Sequence, residues 1–325
     1  MKDRTSLNRR EILAGAAALT AWPAWAQPGD YPSRPVRVIV AFTAGGTTDI
    51  IARAVGQKLA DRFKQGFVID NKPGGGGNIG TELAAKSPPD GYTLIVNSVG
   101  PMAVNLSLYK KLNVNPLVDL VPVVQIADVP NVLVVHPSIP AKTVDEFVAY
   151  AKSKPGQLNY SSTGIGTSSH LAGYMLGKRA GIEITHVPYK GADALNDLLA
   201  GRVQFMFATI PSVIQHIQAG KLRAVAVSSA KRSRSMPEVP TLIERGFPGF
   251  EAGSWFGFFA PKGTPPAIIA TLNKTVNEVL PSLEQQLVRE GADPVGGSAE
   301  QFGQFVQKEY EKWRVVVRES GATAE

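Results

Sequence analysis

Short apolar runs, each closed by a glycine-containing turn and followed by a stretch of helical periodicity, repeat along most of this chain. Val36-Arg37-Val38-Ile39-Val40-Ala41-Phe42 reads as a buried strand. Ala44-Gly45-Gly46 turns the chain, and Thr47-Thr48-Asp49 offers N-caps to a helix with Ile50, Ile51, Ala54, Val55 and Leu59 on its inner face. Residues 67–70 predict a second strand, 73–77 a turn and 79–86 a helix. Pro88-Pro89-Asp90-Gly91 is a tight turn into a strand over 92–97. Such alternation argues for α/β layers with mostly parallel strands.

The middle third repeats the theme. Residues 121–127 and 132–136 read as extended. Thr143-x-x-Glu146 is a capping box that opens a helix to Lys152. A short strand over 158–161 leads into the turn 162–167 and a helix over 168–180 stopped by Gly181. Strands over 184–187, 203–207 and 222–227 alternate with helices over 192–200 and 212–219. The last third changes character. Thr241-x-x-Glu244 caps a short helix, 255–260 is an apolar, aromatic strand, and helices follow over 265–280, 283–289 and 299–319. Ser298-x-x-Gln301 opens the last of them. Helices with so few new strands need an existing sheet, so the C-terminal part is expected to return to the first domain. The result is two α/β lobes, 27–127 plus 256–325 and 128–255, joined by crossings near 126–131 and 253–256. A ligand would sit between them.

The start of the chain has a different pattern. Lys2, Arg4, Arg9 and Arg10 precede an apolar run over 12–21, and Ala24-Trp25-Ala26 is a small-x-small cleavage pattern. Residues 1–26 therefore predict a cleavable signal peptide and a mature protein that begins near Gln27 in the periplasm. Arg9-Arg10 followed by Glu11-Ile12-Leu13 also resembles the twin-arginine export signal, with Asn8 where Ser or Thr is usual. The chain has no cysteine, which removes thiol catalysis, thiolate metal sites and a lipid anchor. Its net charge is +7, and the leader's four basic and two acidic residues leave +5 on the mature part, which suits an anionic ligand. The densest basic run, Lys231-Arg232-x-Arg234, has no interleaved aromatics, so it reads as a solvated loop and no nucleic acid is expected.

Three turns put glycine and small hydroxyl residues just before a helix: 43–48, 73–78 and 163–168. Exposed N–H groups and the positive helix end make such turns anion sites, and they lie at the carboxyl ends of strands. Gly75-x-Gly77-x-x-Gly80 imitates the dinucleotide fingerprint, but the next strand ends in Asn97 rather than an acid, so no cofactor is expected. His136, His170, His186 and His216 lack metal-ligand spacing, and no G-x-S-x-G elbow is present. Asp49 is expected to support its helix start. Phe42, Tyr189, Phe207, Trp255 and Phe256 fall at or near strand ends. The residues alone leave three classes open: a receptor that feeds a transporter, a sensory partner of a membrane kinase, and an exported enzyme using His170 or His186.

Several stretches together resemble the tripartite tricarboxylate transporter receptors, the Bug family. They are Tyr31-Pro32-Ser33-Arg34-Pro35-Val36 with Ala44-Gly45-Gly46-x-x-Asp49, then Asn71-Lys72-Pro73-Gly74-Gly75-Gly76-Gly77-Asn78-Ile79-Gly80, then Pro89-Asp90-Gly91-Tyr92-Thr93-Leu94. Gly164-x-Gly166-Thr167-x-x-His170-Leu171-Ala172, His186-Val187-Pro188-Tyr189-Lys190-Gly191, Pro237-x-Val239-Pro240-Thr241 and Trp255-x-Gly257-x-x-Ala260-Pro261 follow in order. The resemblance implies a two-lobed type II periplasmic-binding-protein fold that closes on a small carboxylate without catalysis. It implies a monomer that delivers its ligand to membrane transporter subunits. The carboxylate would be held by the turns 42–48 and 161–168. The expected ligand residues are Phe42, Thr43, Ala44, Gly45, Gly46, Thr47, Asn97, Ser98, Ser161, Thr163, Gly164, Gly166, Thr167, His170, Tyr189 and Phe207. Ala41 stands where the family usually has proline, and the stretches 97–100 and 207–209 vary in the family and are expected to select the ligand.

Overall fold

The computed structural model describes residues 31–189, 191 and 193–324, so the expected leader over 1–26 lies outside the described residues. Eleven strands are assigned there. In chain order they are β1 (Val36–Val40), β2 (Phe67–Asn71), β3 (Thr93–Ser98), β4 (Leu120–Val129), β5 (Asn131–Val135), β6 (Leu158–Ser162), β7 (Ile184–Pro188), β8 (Phe205–Thr209), β9 (Arg223–Val227), β10 (Ser254–Pro261) and β11 (Asp293–Gly296). They form a six-stranded sheet, β11-β4-β10-β3-β1-β2, and a five-stranded sheet, β7-β6-β8-β5-β9. Both belong to a single compact unit that begins at Pro32.

The strands are less uniformly parallel than their alternation with helices predicts. β1 runs parallel to β2 and β3, and β6 parallel to β7 and β8. β10 is antiparallel to β3 and β4, β11 to β4, and β5 to β8 and β9. The reversals come from strands that carry the chain between lobes. β4 ends in the first sheet and β5 starts the second, with only Pro130 between them. The return passes Gly253 into β10, where a Cβ would lie 3.3 Å from the carbonyl oxygen of Val129. Asn131 and Ser228 clamp the two crossings together. Asn131 Nδ2 donates to the Ala252 carbonyl at 2.6 Å, and Ser228 Oγ lies 3.0 Å from the carbonyl oxygens of both Asn131 and Ala252.

Among the described residues ten α-helices cover the sheets: α1 (Thr47–Phe63), α2 (Asn78–Ala85), α3 (Asn105–Leu108), α4 (Pro116–Asp119), α5 (Val144–Lys152), α6 (Ser168–Ala180), α7 (Asp193–Leu199), α8 (Ile210–Gln218), α9 (Pro266–Arg289) and α10 (Ala299–Ser320). α9 is one helix where two were expected, and Pro281 lies inside it. A proline there forfeits one ladder hydrogen bond. The buried stripe Val276, Val279, Leu280, Leu283 and Leu287 runs through that point and holds the helix together. The π-helical turn Gly100–Val104, α3 and α4 were not expected, nor was β11, a four-residue edge strand. Phe256 and Phe258 are both buried in β10. The return strand is welded to α10 by one carboxylate: Glu309 Oε2 accepts Trp255 Nε1–H and Trp313 Nε1–H, each at 3.0 Å. Charge-assisted bonds of this kind make a buried carboxylate tolerable. No described helix is long and apolar enough to cross a membrane.

Candidate functional site

In the first lobe, β1 delivers the chain to the turn over 42–47, and Gly45 makes the reversal with φ +80°. Asp49 holds this turn in shape. Its carboxylate, only 3% exposed, accepts the Gly45 N–H and Arg53 Nε–H at 2.9 Å on one oxygen and Asn71 Nδ2–H at 3.0 Å on the other. Asn71 also donates to the Phe42 carbonyl at 3.1 Å. Burial by itself would raise the Asp49 pKa, but the bonds from Arg53, Gly45 and Asn71 outweigh it and hold the carboxyl below its ordinary range. The supporting role expected of Asp49 is therefore visible. Gly46, not one of the three residues after it, is the N-cap of α1, and no side chain caps that helix. The first N–H groups of a helix have no partner within it, so α1 starts as a row of donors.

The second-lobe turn is built from its own side chains. Gly164 (φ +145°) and Gly166 (φ +78°) shape it. Thr167 Oγ1 donates to the Gly164 carbonyl at 2.8 Å, and Gly166 N–H donates to His170 Nδ1 at 3.1 Å. His170 Nδ1 is thus an acceptor, and its neutral ring carries the proton on Nε2. The His170 ring stacks on His186 with centroids 3.9 Å apart, and His186 Nε2 lies 2.7 Å from Ser162 Oγ. Burial pushes the His170 pKa down to about 4, and burial together with His170 pushes His186 down to about 3. Both rings are neutral supports behind the turn.

Several contacts bring the lobes together. Thr47 Oγ1, in the first turn of α1, lies 3.0 Å from Oγ1 of Thr209, the N-cap of α8. A Cβ on Gly191 would stand 3.7 Å from Thr43 Oγ1, and one on Gly166 would run into the side chain of Leu108. Lys178 of α6 pairs with Glu319 of α10 at 2.8 Å, and Arg234 with Glu284 of α9 at 2.8 Å. The starts of α1 and α8 therefore meet, and the turns before α1 and α6 each lie against the opposite lobe. Within the described residues 42–49, 161–170, 189, 191 and 209–212 the single charged side chain is Asp49, and it is already engaged. What these described residues offer is N–H and hydroxyl dipoles.

The remaining expected residues divide by exposure. Thr43, Ala44, Gly45 and Thr163 are exposed, and Phe42, Gly46, Thr47, Gly164, Thr167 and Tyr189 are half-buried. Tyr189 Oη donates to Asp197 Oδ2 at 2.7 Å. Ser98 is buried at the end of β3. Three side chains are tied to their own lobe. Asn97 Nδ2 donates to Thr81 Oγ1 at 2.8 Å, Ser161 Oγ donates to the Ala194 carbonyl at 3.0 Å, and Phe207 stacks on Phe250 in the core. The glycine turn over 73–77 is also packed within its own lobe. A Cβ on Gly77 would lie 2.5 Å from Pro101 and one on Gly80 2.8 Å from Ala41 Cα, while Asn105 Nδ2 donates to the Gly76 carbonyl at 3.1 Å. Its glycines serve close packing within the first lobe. Thr209, within the stretch 207–209 expected to select the ligand, and Ser212, which was not expected, stand at the start of α8; Pro211 inside the first turn of α8 is the sequence signal for that helix start. A separate surface hollow of about 310 Å³, lined by Leu106, Tyr109, Lys110, Asn113 and Asn115 among others, shares no residue with these turns.

The chain matches the model of the tripartite tricarboxylate transporter family receptor over residues 51–322. It belongs to that receptor family. Protein BugT of Bordetella pertussis is 40% identical over 323 residues, covering 97% of this chain and 99% of that protein. The solved Rpa4515 of R. palustris with adipate is 40% identical, with a TM-score of 0.87 over 90% of this chain and 99% of that one. MatC from Rhodopseudomonas palustris with bound malate is 33% identical, with a TM-score of 0.81 over 88% and 100% of the two chains. Receptors of this family are periplasmic solute-binding proteins, not enzymes, which removes the exported-enzyme reading of His170 and His186. In this receptor the two histidines have a structural place instead.

Proposed function

We propose that this receptor captures a small dicarboxylate between its lobes, 27–127 plus 256–325 and 128–255, and presents the closed form to the membrane subunits of a transporter. The observation that carries the reading is that the starts of α1 and α8 meet, that the turn before α6 lies against the first lobe, and that the donors among these described residues are neutral. Anions are favoured at such ends because the N–H groups point at the ligand and the helix dipole adds to them. One carboxylate would be received by the turn over 42–47 and the start of α1, the other by the turn over 163–168. A ligand that reaches both lobes favours the closed state by its differential affinity for it. That the solved relatives hold adipate and malate supports a dicarboxylate with a short carbon chain. The mature protein would begin near Gln27 and act as a monomer in the periplasm.

Thermal denaturation with a panel of adipate, malate, succinate, neutral sugars and divalent metals tests this. A dicarboxylate at one hundred times its Kd is expected to stabilise the protein by about 2.7 kcal/mol. A response to sugars or metals with none to any acid would overturn the reading.

A further inference from the structure

Ser169 stands in the first turn of α6, is 5% exposed, and its hydroxyl oxygen is buried with no protein hydrogen-bond partner. A helical serine ordinarily settles its hydroxyl by capping or by bonding back to the carbonyl four residues earlier. Neither happens here. Thr167 is the N-cap, and its Oγ1 accepts the His170 N–H at 3.4 Å. The other polar groups of the turn before α6 are occupied: Gly166 N–H by His170 Nδ1, Ser162 Oγ by His186 and Gly164, and Thr167 Oγ1 by the Gly164 carbonyl.

The direction of the hydroxyl follows from the helix. Ser169 and Gly173 are four residues apart and share a face. A Cβ on Gly173 would run into the ring of Tyr160, so this face lies against β6. Ser169 is one turn nearer the helix start, and that start follows the carboxyl end of β6 after the turn over 163–167. In an open α/β sheet that is the ligand crevice. A buried unpaired hydroxyl at this place disfavours the free protein and favours a state in which something pairs with it.

We infer that Ser169 is a specificity-determining residue whose hydroxyl donates a hydrogen bond to a carboxylate oxygen of the ligand at the start of α6. This rests on the reading of the cleft as a dicarboxylate site. The assignment makes two opposed demands on one substitution. Ser169→Ala removes an unpaired polar group and adds a good helix former, so the free protein should melt at the same temperature or higher. The same change should raise the Kd for adipate and malate about 10- to 100-fold, the scale of a lost bond to a charged group.

Calorimetric titration of adipate and malate into the wild type and Ser169→Ala, with melting of both free proteins, decides the matter. Weakened binding by a variant at least as stable as the wild type supports the assignment. Unchanged affinity overturns it, and so does a lower melting temperature, which would show that the hydroxyl already serves the fold. Absence of dicarboxylate binding by the wild type is a separate outcome that overturns the proposed function itself and this assignment with it.

Discussion

The hydroxyls of Thr47 and Thr209 meet at 3.0 Å although the residues are 162 positions apart and belong to different lobes. Each sits at the start of a helix, so the contact joins two helix N-termini across the cleft. A neutral hydrogen bond of this kind contributes about 0.5–1.5 kcal/mol. Thr47→Val and Thr209→Val are each expected to weaken dicarboxylate binding about 3- to 10-fold. The double variant should lose less than the product of the two, because the hydroxyls act on each other. A calorimetric double-mutant cycle measures this, and strict additivity would show that the contact plays no part in closure.

Gly166 tests closure from the steric side. Its φ of +78° disfavours any other residue, and a methyl group there would meet Leu108 of the opposite lobe. Gly166→Ala is expected to raise the ligand Kd at least tenfold, about 1.4 kcal/mol. Adding Leu108→Ala should return part of that loss by making room. Small-angle scattering with saturating ligand should show a larger radius of gyration for Gly166→Ala than for the wild type. Equal radii would exclude a steric block.

Asp49 supports the first turn without offering itself to a ligand. Asp49→Ala leaves the Gly45 N–H without its acceptor and takes one acceptor each from the Asn71 amide and the Arg53 guanidinium. Removing one member of a buried hydrogen-bonded charged set costs about 2–4 kcal/mol. Urea denaturation should show that loss, with Asp49→Asn falling between variant and wild type. A stability within 0.5 kcal/mol of wild type, the usual span of a surface change, would contradict the supporting role.

The buried histidines set an acid limb. His170 and His186 titrate at about 4 and about 3 in the folded protein, against an ordinary value of 6.5. Below pH 6.5 the unfolded chain takes up protons that the folded protein refuses. Their contribution is therefore complete above pH 6.5 and declines as the pH falls toward 4. At pH 5.5 the pair should cost about 2–3 kcal/mol relative to pH 7.5. Asn in place of His170 and Gln in place of His186 should flatten that limb in urea denaturation measured from pH 7.5 to 5, and an unchanged slope would mean that the rings are protonated in the folded state.

The architecture was legible because its strands are continuous apolar runs and its helices carry local stop and start signals. Ser298 with Gln301 forms the full capping box its spacing predicts, whereas Thr143 caps α5 but Glu146 reaches back to the Lys142 N–H and leaves that expected box half made. What escaped depends on residues distant in sequence. The glycines over 74–77 look like a ligand turn, yet Gly77 and Gly80 are small because Pro101, Phe42 and Ala41 crowd them. Asn97 looks like a strand-end selector, yet Thr81 claims its amide. Thr209 meets Thr47, and Ser169 lacks a partner, only once the lobes are assembled. No local window contains either relationship.

The position of β10 has a consequence for biosynthesis. This strand lies between β3 and β4 in the first sheet, yet about 120 residues separate it from β4 in the chain. As the nascent chain emerges, the five strands of the second sheet are available before the seam in the first can be closed. The lobe whose sequence starts later can thus finish folding earlier, while the first one waits half-built for its central strand. For the same reason the five strands of the second sheet form one continuous stretch of sequence between β4 and β10. Exchanging that segment among relatives would exchange one half of the ligand's surroundings and leave the other half intact.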